Sequence, residues 1–497
     1  MSKFNKNKNE SKITESACGC VAYELDDKLK LLSMATTSFF GEDKFYGDTS
    51  YPIVDLARKL VESGKGQFVA NLAVYLRKEM HLRSVSQVLV AELANINEGK
   101  AFVQYACGGV IERADDITEI LAYYIDKFGK PIPNALKKGL ASAMNKFDEY
   151  QFAKYNRKGK AITFVDVLRL THAKAKDENQ NKIFNAIIND TLKTPYTWET
   201  ELSTKGNTKE VWEKLIASNK LGYMALLRNL NNIINVNPSS LDKALSDLAD
   251  ENAVKKSKVL PFRFYTAYLK VSANNNFSSK VFDALESAIE ASVGNIEKLK
   301  GKTLIAIDVS GSMNSKLSAR SDAMYVDIAR VMGAMANKMC EDSIVVTFDD
   351  RLKVVTFANS NGIISNADKI EATGGCTFCN LPIEYILQNK IFVDRVIMVS
   401  DNMCNASFYD ETYDLFNDFT RCTPTKMVMD NYRKEINPKA FFHMIDLGGY
   451  GTSEINVKEK LCNLILGWDD SILNYIPMYE NGLDTLVKEV DEYHINK

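Results

Sequence analysis

The segment Lys302-Thr-Leu-Ile-Ala-Ile-Asp308-Val-Ser310-Gly-Ser312 delivers one carboxylate and two hydroxyls within five residues. The run before Asp308 is short, apolar and β-branched, the pattern of a buried strand; Val309 to Ser312 read as the tight turn leaving it. Hard oxygen donors on one side of a turn suit Mg²⁺ or Mn²⁺, which keep much of their water and use few carboxylates. The plainer alternative is a Gly/Ser turn whose serine caps a helix. Two later stretches add donors of the same kind. Thr373-Gly-Gly-Cys-Thr377 offers glycines that permit close backbone approach and a threonine hydroxyl, and Val393-Asp-Arg-Val-Ile-Met-Val-Ser-Asp401 is a second apolar strand ending in an acid. Strands of an open parallel sheet end at one edge, where ligands bind. Asp308, Ser310, Ser312, Thr377 and Asp401 are therefore expected to converge there.

A second chemistry is basic. From Lys130 to Leu230 there are 18 Lys and Arg against 10 Asp and Glu, an excess of eight inside a chain of net charge −2. Such a segment is a candidate surface for an anionic ligand, with a solvated helix face as the alternative. Lys154-Tyr-Asn-Arg157-Lys158-Gly-Lys160 is a basic loop broken by glycine. Thr163 with Asp166 is a capping arrangement that starts a helix. On that helix Arg169, His172 and Lys176 fall at i, i+3 and i+7, on one face. Phosphate contacts need several cations on a fixed surface, and Tyr155 supplies an aromatic for stacking an unpaired base.

The elements that must hold these residues change character along the chain. At 497 residues two or more domains are expected. The 45% hydrophobic and 25% charged content is that of a soluble globular protein with sizeable cores, and no apolar run reaches membrane-spanning length. Residues 1–20 read as a disordered N-terminus without the apolar stretch of a signal peptide. From 21 to 299 the periodicity is helical, with segments Ile53–Val61, Phe68–Leu76, Val85–Leu93, Ala101–Val110 and Ile117–Phe128 and breaks at Gly64-Lys-Gly66, Gly108-Gly109, Gly129-Lys-Pro131 and Asn237-Pro238. Short helices with short connections are the pattern of an α-solenoid. From 300 to 497 strands at 302–309, 343–349, 352–357, 394–400 and 440–447 alternate with helices at 318–339 and 381–387, which predicts a doubly wound, mainly parallel α/β domain. Nine scattered cysteines fit thiols in a reducing cytoplasm better than a disulfide framework. Cys376-Thr-Phe-Cys379 alone could be a redox motif or half a zinc site, although no second pair at zinc spacing follows.

The five oxygen ligands, in this order, resemble the metal-ion-dependent adhesion site (MIDAS) of a von Willebrand factor A domain. One departure is local: Cys376 is inserted and Phe378 follows Thr377, where family members have Gly-Gly-Thr and then a polar or acidic residue. In the helical half, Ala135-Leu-Lys137-Lys138-Gly-Leu-Ala, Phe147-Asp-Glu-Tyr-Gln-Phe-Ala-Lys154-Tyr155, Phe164-Val-Asp-Val-Leu-Arg169-Leu-Thr-His172, Ala225-Leu-Leu-Arg228 and Pro261-Phe-Arg-Phe stand out. Together with the A domain they resemble the TROVE module of the Ro 60 kDa autoantigen family, from about Leu25 to the end. The resemblance implies a ring of HEAT-like helical repeats closed by the A domain. It implies binding of small noncoding Y-like RNA on the outer basic face, entry of single-stranded 3′ ends of misfolded RNA into the central hole, and work with an exoribonuclease through the RNA. Carried over residue by residue, the Y RNA contacts match Lys154, Arg157 or Lys158, and His172. Lys137, Lys138 and Arg228 are candidates for the inner surface.

Three functions remain to be separated. The first is a cytoplasmic, monomeric RNA-binding ribonucleoprotein component. The second is an adhesion-type protein-binding module that uses the cation to hold a partner's carboxylate. The third, an enzyme, lacks a general-base histidine beside the oxygen cluster, a phosphate-binding Gly-x-x-x-x-Gly-Lys loop and paired catalytic carboxylates, so no catalytic residue is assigned.

Overall fold

The computed structural model describes residues 12–16, 20–36, 52–156, 159–219, 221–293, 298–316, 323–358, 361–405, 423–467, 473, 475–481 and 486–494. The chain divides into two compact units, Asp27–Thr200 with Asp484–Lys497, and Met1–Asp26 with Glu201–Leu483. The change from helical to alternating periodicity falls at Leu299, where the first long strand begins. The compact units divide elsewhere, because helices on the N-terminal side of Leu299 pack on the sheet domain.

The helical unit contains Asp27–Thr36, Pro52–Leu60, Gly66–Lys78, Ser84–Asn95, Val103–Val110, Ala114–Phe128, Asn134–Ala143, Glu149–Tyr155, Phe164–Thr171 and Glu178–Ile188. Successive helices pack on one another: Gly66–Lys78 on Ser84–Asn95, Ser84–Asn95 on Ala114–Phe128, Val103–Val110 on Asn134–Ala143, and Asn134–Ala143 on Phe164–Thr171. Each helix has one apolar stripe, and only a neighbour can bury it. Leu72, Leu89, Leu93, Ile117, Leu136 and Leu140 are fully buried in this way. Asp116 ties two helix starts, accepting from Arg83 Nε at 2.6 Å and Gln87 Nε2 at 2.7 Å at one and from the Arg113 backbone N–H at 2.9 Å at the other. Burial opposes its charge, yet Arg83 and Arg77 hold its carboxyl below the ordinary range.

One expected break is not a break. Gly108 and Gly109 lie inside the Val103–Val110 helix. That helix runs against Asn134–Ala143, where a Cβ on Gly139 would meet Cys107 Sγ at 2.6 Å, so Gly139 permits the close crossing, whereas a Cβ on Gly108 would meet nothing within 4 Å. Gly64, at φ 79° and ψ 16°, leaves the helical region and kinks the chain between Pro52–Leu60 and Gly66–Lys78, so the break expected there is found. Gly129, at φ 68°, does end its helix.

The chain returns to this unit at its far end. The helix Leu486–Asp491 packs on Gly66–Lys78. Asn71 Nδ2 donates to the Asp491 carbonyl at 2.9 Å, Lys28 pairs with the Asp491 carboxylate, and the Tyr493 ring meets Tyr75 edge-on at 5.4 Å.

The other unit carries a six-stranded sheet. Its strands are β3 Leu299–Asp308, β4 Cys340–Phe348, β5 Leu352–Val355, β6 Arg395–Ser400, β7 Phe441–Asp446 and β9 Cys462–Leu466, in the order β5-β4-β3-β6-β7-β9. All neighbours are parallel except β4 and β5. β3 and β6 are buried along their central residues, as their unbroken apolar runs require. Within the 1–20 stretch expected to be disordered, β1 (Ile13–Glu15) pairs with β2 (Val21–Glu24), which continues onto β8 (Thr452–Ser453) as a small antiparallel sheet. The helices Pro261–Ser272 and Ser279–Val293 pack on Tyr325–Met339 and Ile363–Ala367. There the Glu286 carboxylate accepts from the backbone N–H groups of Ile364 (2.8 Å) and Ser365 (3.1 Å), so it caps the Ile363–Ala367 helix.

Candidate functional site

β3 and β6 are adjacent and in register, Ile307 opposite Val399, so Asp308 and Asp401 leave the sheet at the same edge. Both are fully buried. Asp308 Oδ1 accepts from the Ser310 N–H at 2.9 Å and Oδ2 from the Ser400 hydroxyl at 2.6 Å. The Ser310 and Ser312 hydroxyl oxygens are 3.3 Å apart, and Ser312 hydrogen-bonds the Asp401 carboxylate. Burial raises both carboxyls above their ordinary values, and the Asp401 charge adds to the rise at Asp308. No cation among the described residues offsets these charges. Asp401 Oδ2 is buried with no hydrogen-bond partner. That orphaned oxygen and the paired hydroxyls fit a hard divalent ion. Among the described residues no three His, Cys, Asp or Glu side chains form a metal cage, so any such ion would depend on the hydroxyls.

The structure brings Asp308, Ser310, Ser312 and Asp401 together and ties the Thr377 loop to them. Gly311 N–H donates to the Gly375 carbonyl at 2.9 Å, and Gly374 N–H to the Val309 carbonyl at 3.0 Å. Thr377 is buried; its N–H donates to Asn405 Oδ1 at 3.0 Å, and its carbonyl accepts from the Asn405 N–H at 2.6 Å. The inserted Cys376 is exposed, and Phe378 is buried rather than reaching the edge. Nearby, Glu454 is buried and its N–H donates to Asn402 Oδ1 at 3.2 Å. Burial pushes the Glu454 carboxyl up to about 8, offset only by the Thr425 hydroxyl.

The expectation of thiols alone is corrected at one pair. Cys379 and Cys404 form a disulfide with Cα atoms 5.7 Å apart, 25 residues apart in sequence. The sheet produces this pairing, since the loop leaving β6 meets the start of the Leu381–Gln388 helix. Cys379 is therefore not half of a zinc site with Cys376. Cys107, Cys340, Cys376 and Cys462 are thiols.

On the helical unit, the Thr163–Asp166 capping box forms as expected, with the Thr163 N–H on Asp166 Oδ2 at 2.9 Å and the Asp166 N–H on Thr163 Oγ1 at 3.3 Å. Arg169 and His172 are both exposed. The one-face arrangement with Lys176 is not found. The helix ends at Thr171, and His172 takes a left-handed conformation, φ 54° and ψ 42°. Lys176 falls in the following loop, where its Nζ donates to the Asn145 carbonyl at 2.9 Å. Lys154 is half-buried, its Nζ 5.6 Å from the Tyr155 ring centre, while Arg113 lies over that ring at 4.6 Å. Tyr155 therefore already has a cationic partner, and Tyr150, 50% exposed on the same helix, is the more accessible ring. Arg157 and Lys158 lie outside the described residues. Lys138 is exposed and Lys137 half-buried on Asn134–Ala143, and Arg228 is exposed in the other unit. Sequence reasoning passed over the exposed Lys174, which joins Arg169, Asn181, Asn185 and Ile188 around an open groove of about 580 Å³.

The TROVE domain family matches residues 41–194 and 190–283, and the Ro60 vWA domain family matches residues 302–474. The chain belongs to the Ro60 family of TROVE-domain proteins. Similar proteins include RNA-binding protein RO60 of Deinococcus radiodurans, 26% identical over 209 residues (39% of this chain and 39% of that protein). RNA-binding protein RO60 of Caenorhabditis elegans is 26% identical over 274 residues, covering 52% of this chain and 40% of that protein. Telomerase protein component 1 of Rattus norvegicus is 22% identical over 287 residues, 41% of this chain and 11% of that one. The matches thus span less than half the length of each of these relatives. The crystal structure of the Deinococcus radiodurans RO (RSR) protein shares the fold, with a TM-score of 0.59 at 19% identity over 91% of this chain and 99% of that one.

Membership of the Ro60 family accounts for a helix-rich region followed by a mainly parallel A domain. Among the described residues, no helix of this family member is long and apolar enough to cross a membrane. The disulfide, the exposed Tyr150 and the Lys174 groove are features of this chain that neither motif spacing nor periodicity signalled.

Proposed function

We propose that this Ro60-family chain is the RNA-binding component of a small cytoplasmic ribonucleoprotein. It takes a small noncoding, Y-like RNA on the basic surface around Lys154, Arg169, His172 and Lys174. Single-stranded 3′ ends of misfolded RNA enter the central hole that the family resemblance implies, near Lys137 and Lys138. An exoribonuclease is recruited through the bound RNA, and the chain itself is monomeric and performs no chemistry. One observation carries the reading. Lys137, Lys138, Lys154, Arg169 and Lys174 have no acidic partner among the described residues, whereas Lys160, Lys182 and Lys205 each pair with a glutamate. Cations without acids of their own, on fixed helices, are what phosphates require. The names of the RO60 relatives support the same direction. Crosslinking the protein to cellular RNA and sequencing the recovered species tests the reading; recovery no greater than for an acidic control protein would reject it.

A second site belongs to the proposal. Asp308, Ser310, Ser312, Thr377 and Asp401 would hold Mg²⁺ or Mn²⁺ in the manner of a MIDAS, and the orphaned Asp401 Oδ2 favours this. The ion would supply a coordination point for a carboxylate from a protein partner. The adhesion-type reading is thereby a second function of the same chain, carried by the other unit.

A further inference from the structure

We propose that the Cys379–Cys404 disulfide is a redox clamp on the carboxyl edge of the sheet, opened by thiol exchange with Cys376. The clamp rests on geometry alone, while its effect on ion affinity rests on the cation reading above.

The two bonded cysteines belong to different loops. Cys379 follows Thr377 by two residues, just before the Leu381–Gln388 helix, and Cys404 follows Asp401 by three, in the loop leaving β6. Thr377 and Asn405 also join these loops through two hydrogen bonds. The Asp401 loop also contains Asn402 at φ 64°, a left-handed residue held by its side-chain bond to the Thr452 carbonyl at 2.6 Å. Breaking the disulfide therefore removes the covalent tie between two candidate ligands on separate elements, while the Thr377–Asn405 bonds are ones that solvent can replace.

Access decides how it opens. Cys379 and Cys404 are 1% and 2% exposed, so a solvent thiol has no direct approach. Cys376 is exposed and unbonded, three residues before Cys379 in the same loop. A Cys-x-x-Cys spacing closes readily into a disulfide. In the exchange the Cys376 thiolate attacks Cys379 Sγ, and the Cys379–Cys404 bond breaks as the Cys376–Cys379 bond forms. Cys404 leaves with the electron pair and takes up the proton that Cys376 gave up. No net oxidation occurs, and the reaction runs backwards by attack of Cys404 on Cys379. The new disulfide includes the exposed sulfur. A small monothiol can then reduce it, two equivalents leaving as their own disulfide while Cys376 and Cys379 become thiols.

The test uses the full chain, reduced glutathione as the monothiol and Mn²⁺ as the ion. Differential alkylation with mass spectrometry follows the sulfur pairing, and hydrogen exchange follows the Thr377 and Asn405 amides. Glutathione should open the Cys379–Cys404 bond and speed exchange at both amides at least about tenfold. Cys376→Ser, which leaves the clamp intact, should slow opening by about tenfold or more. Mn²⁺ affinity of the wild type should fall on opening and return on reoxidation. Unchanged exchange after reduction would overturn the clamp, and equal opening rates with and without Cys376 would overturn the exchange. Loss of amide protection with no Mn²⁺ binding in either state would uphold the clamp and reject the cation reading.

Discussion

Replacing Lys154, Arg169 and Lys174 together with alanine separates a phosphate surface from a solvated helix face. Arg169 and Lys174 are exposed and Lys154 is half-buried; Asp177 and Glu178 line the same groove as Arg169 and Lys174 but pair with neither, so the substitutions break no ion pair among the described residues. If each cation meets one phosphate of a structured RNA, the slope of log affinity against log salt falls by about 0.9 per contact, or about 2.7 for three. Between about 50 and about 200 mM salt the wild type would then lose about 40-fold more affinity than the variant. Fluorescence anisotropy with a stem-loop RNA at several salt concentrations reads this directly. His172→Ser should weaken binding at an unchanged slope, since it removes a hydrogen-bonding ring rather than a phosphate ion pair. A single-stranded 3′ end should suffer less from the triple variant than the stem-loop, and more from Lys137→Ala with Lys138→Ala. An unchanged slope for the triple variant would refute the phosphate argument, and equal losses for both RNA types would refute the two-surface reading.

Other outcomes are expected. Asp308→Ala should abolish Mg²⁺ or Mn²⁺ binding by calorimetry while unfolding remains cooperative; retained affinity removes the site. Glu454 binds a proton in the folded chain up to about pH 8 but only to about 4.5 when unfolded, so its contribution is full below pH 4.5 and disappears as pH rises through 8. Across that window the native state should lose up to about 5 kcal/mol from this group. Glu454→Gln should flatten the wild-type difference between urea midpoints at pH 5 and pH 8, and parallel curves would show that the carboxyl is not the cause. Tyr493→Ala removes the edge contact with Tyr75 and the bond from its hydroxyl to Glu79 Oε1, a cost of about 1–2 kcal/mol in denaturant unfolding; no change would mean the C-terminal helix does not stabilise its unit.

The oxygen cluster was legible because two apolar strands announced themselves and each ended in an acid. Parallel strands in one sheet must deliver their ends to one edge, so Asp308 and Asp401 met without any further information. Thr377 was harder, since its position depends on hydrogen bonds from Gly311 and Asn405 rather than on a repeating pattern. The helix starting after Thr163 was readable from its capping box, but its end was not. No glycine or proline marks His172, which enters the left-handed region itself, so the i+7 extrapolation to Lys176 ran past the helix. Gly108-Gly109 misled in the opposite direction, because a packed neighbour overrides low helix propensity. The Cys379–Cys404 pairing joins residues that only the sheet brings together.

The return of Leu486–Asp491 to the helices of Asp27–Thr200 has a consequence for synthesis on the ribosome. The helices of that unit emerge first, yet the surface around Asn71 and Tyr75 waits while the whole of Glu201–Leu483 is translated. Domains tend to fold as they emerge, N-terminal first. Here such folding would stop one helix short, leaving the face of Gly66–Lys78 that carries Asn71 and Tyr75 uncovered until the chain is complete. A premature stop anywhere in the sheet domain would then damage both units, the second by truncation and the first by denying it a helix encoded hundreds of residues downstream.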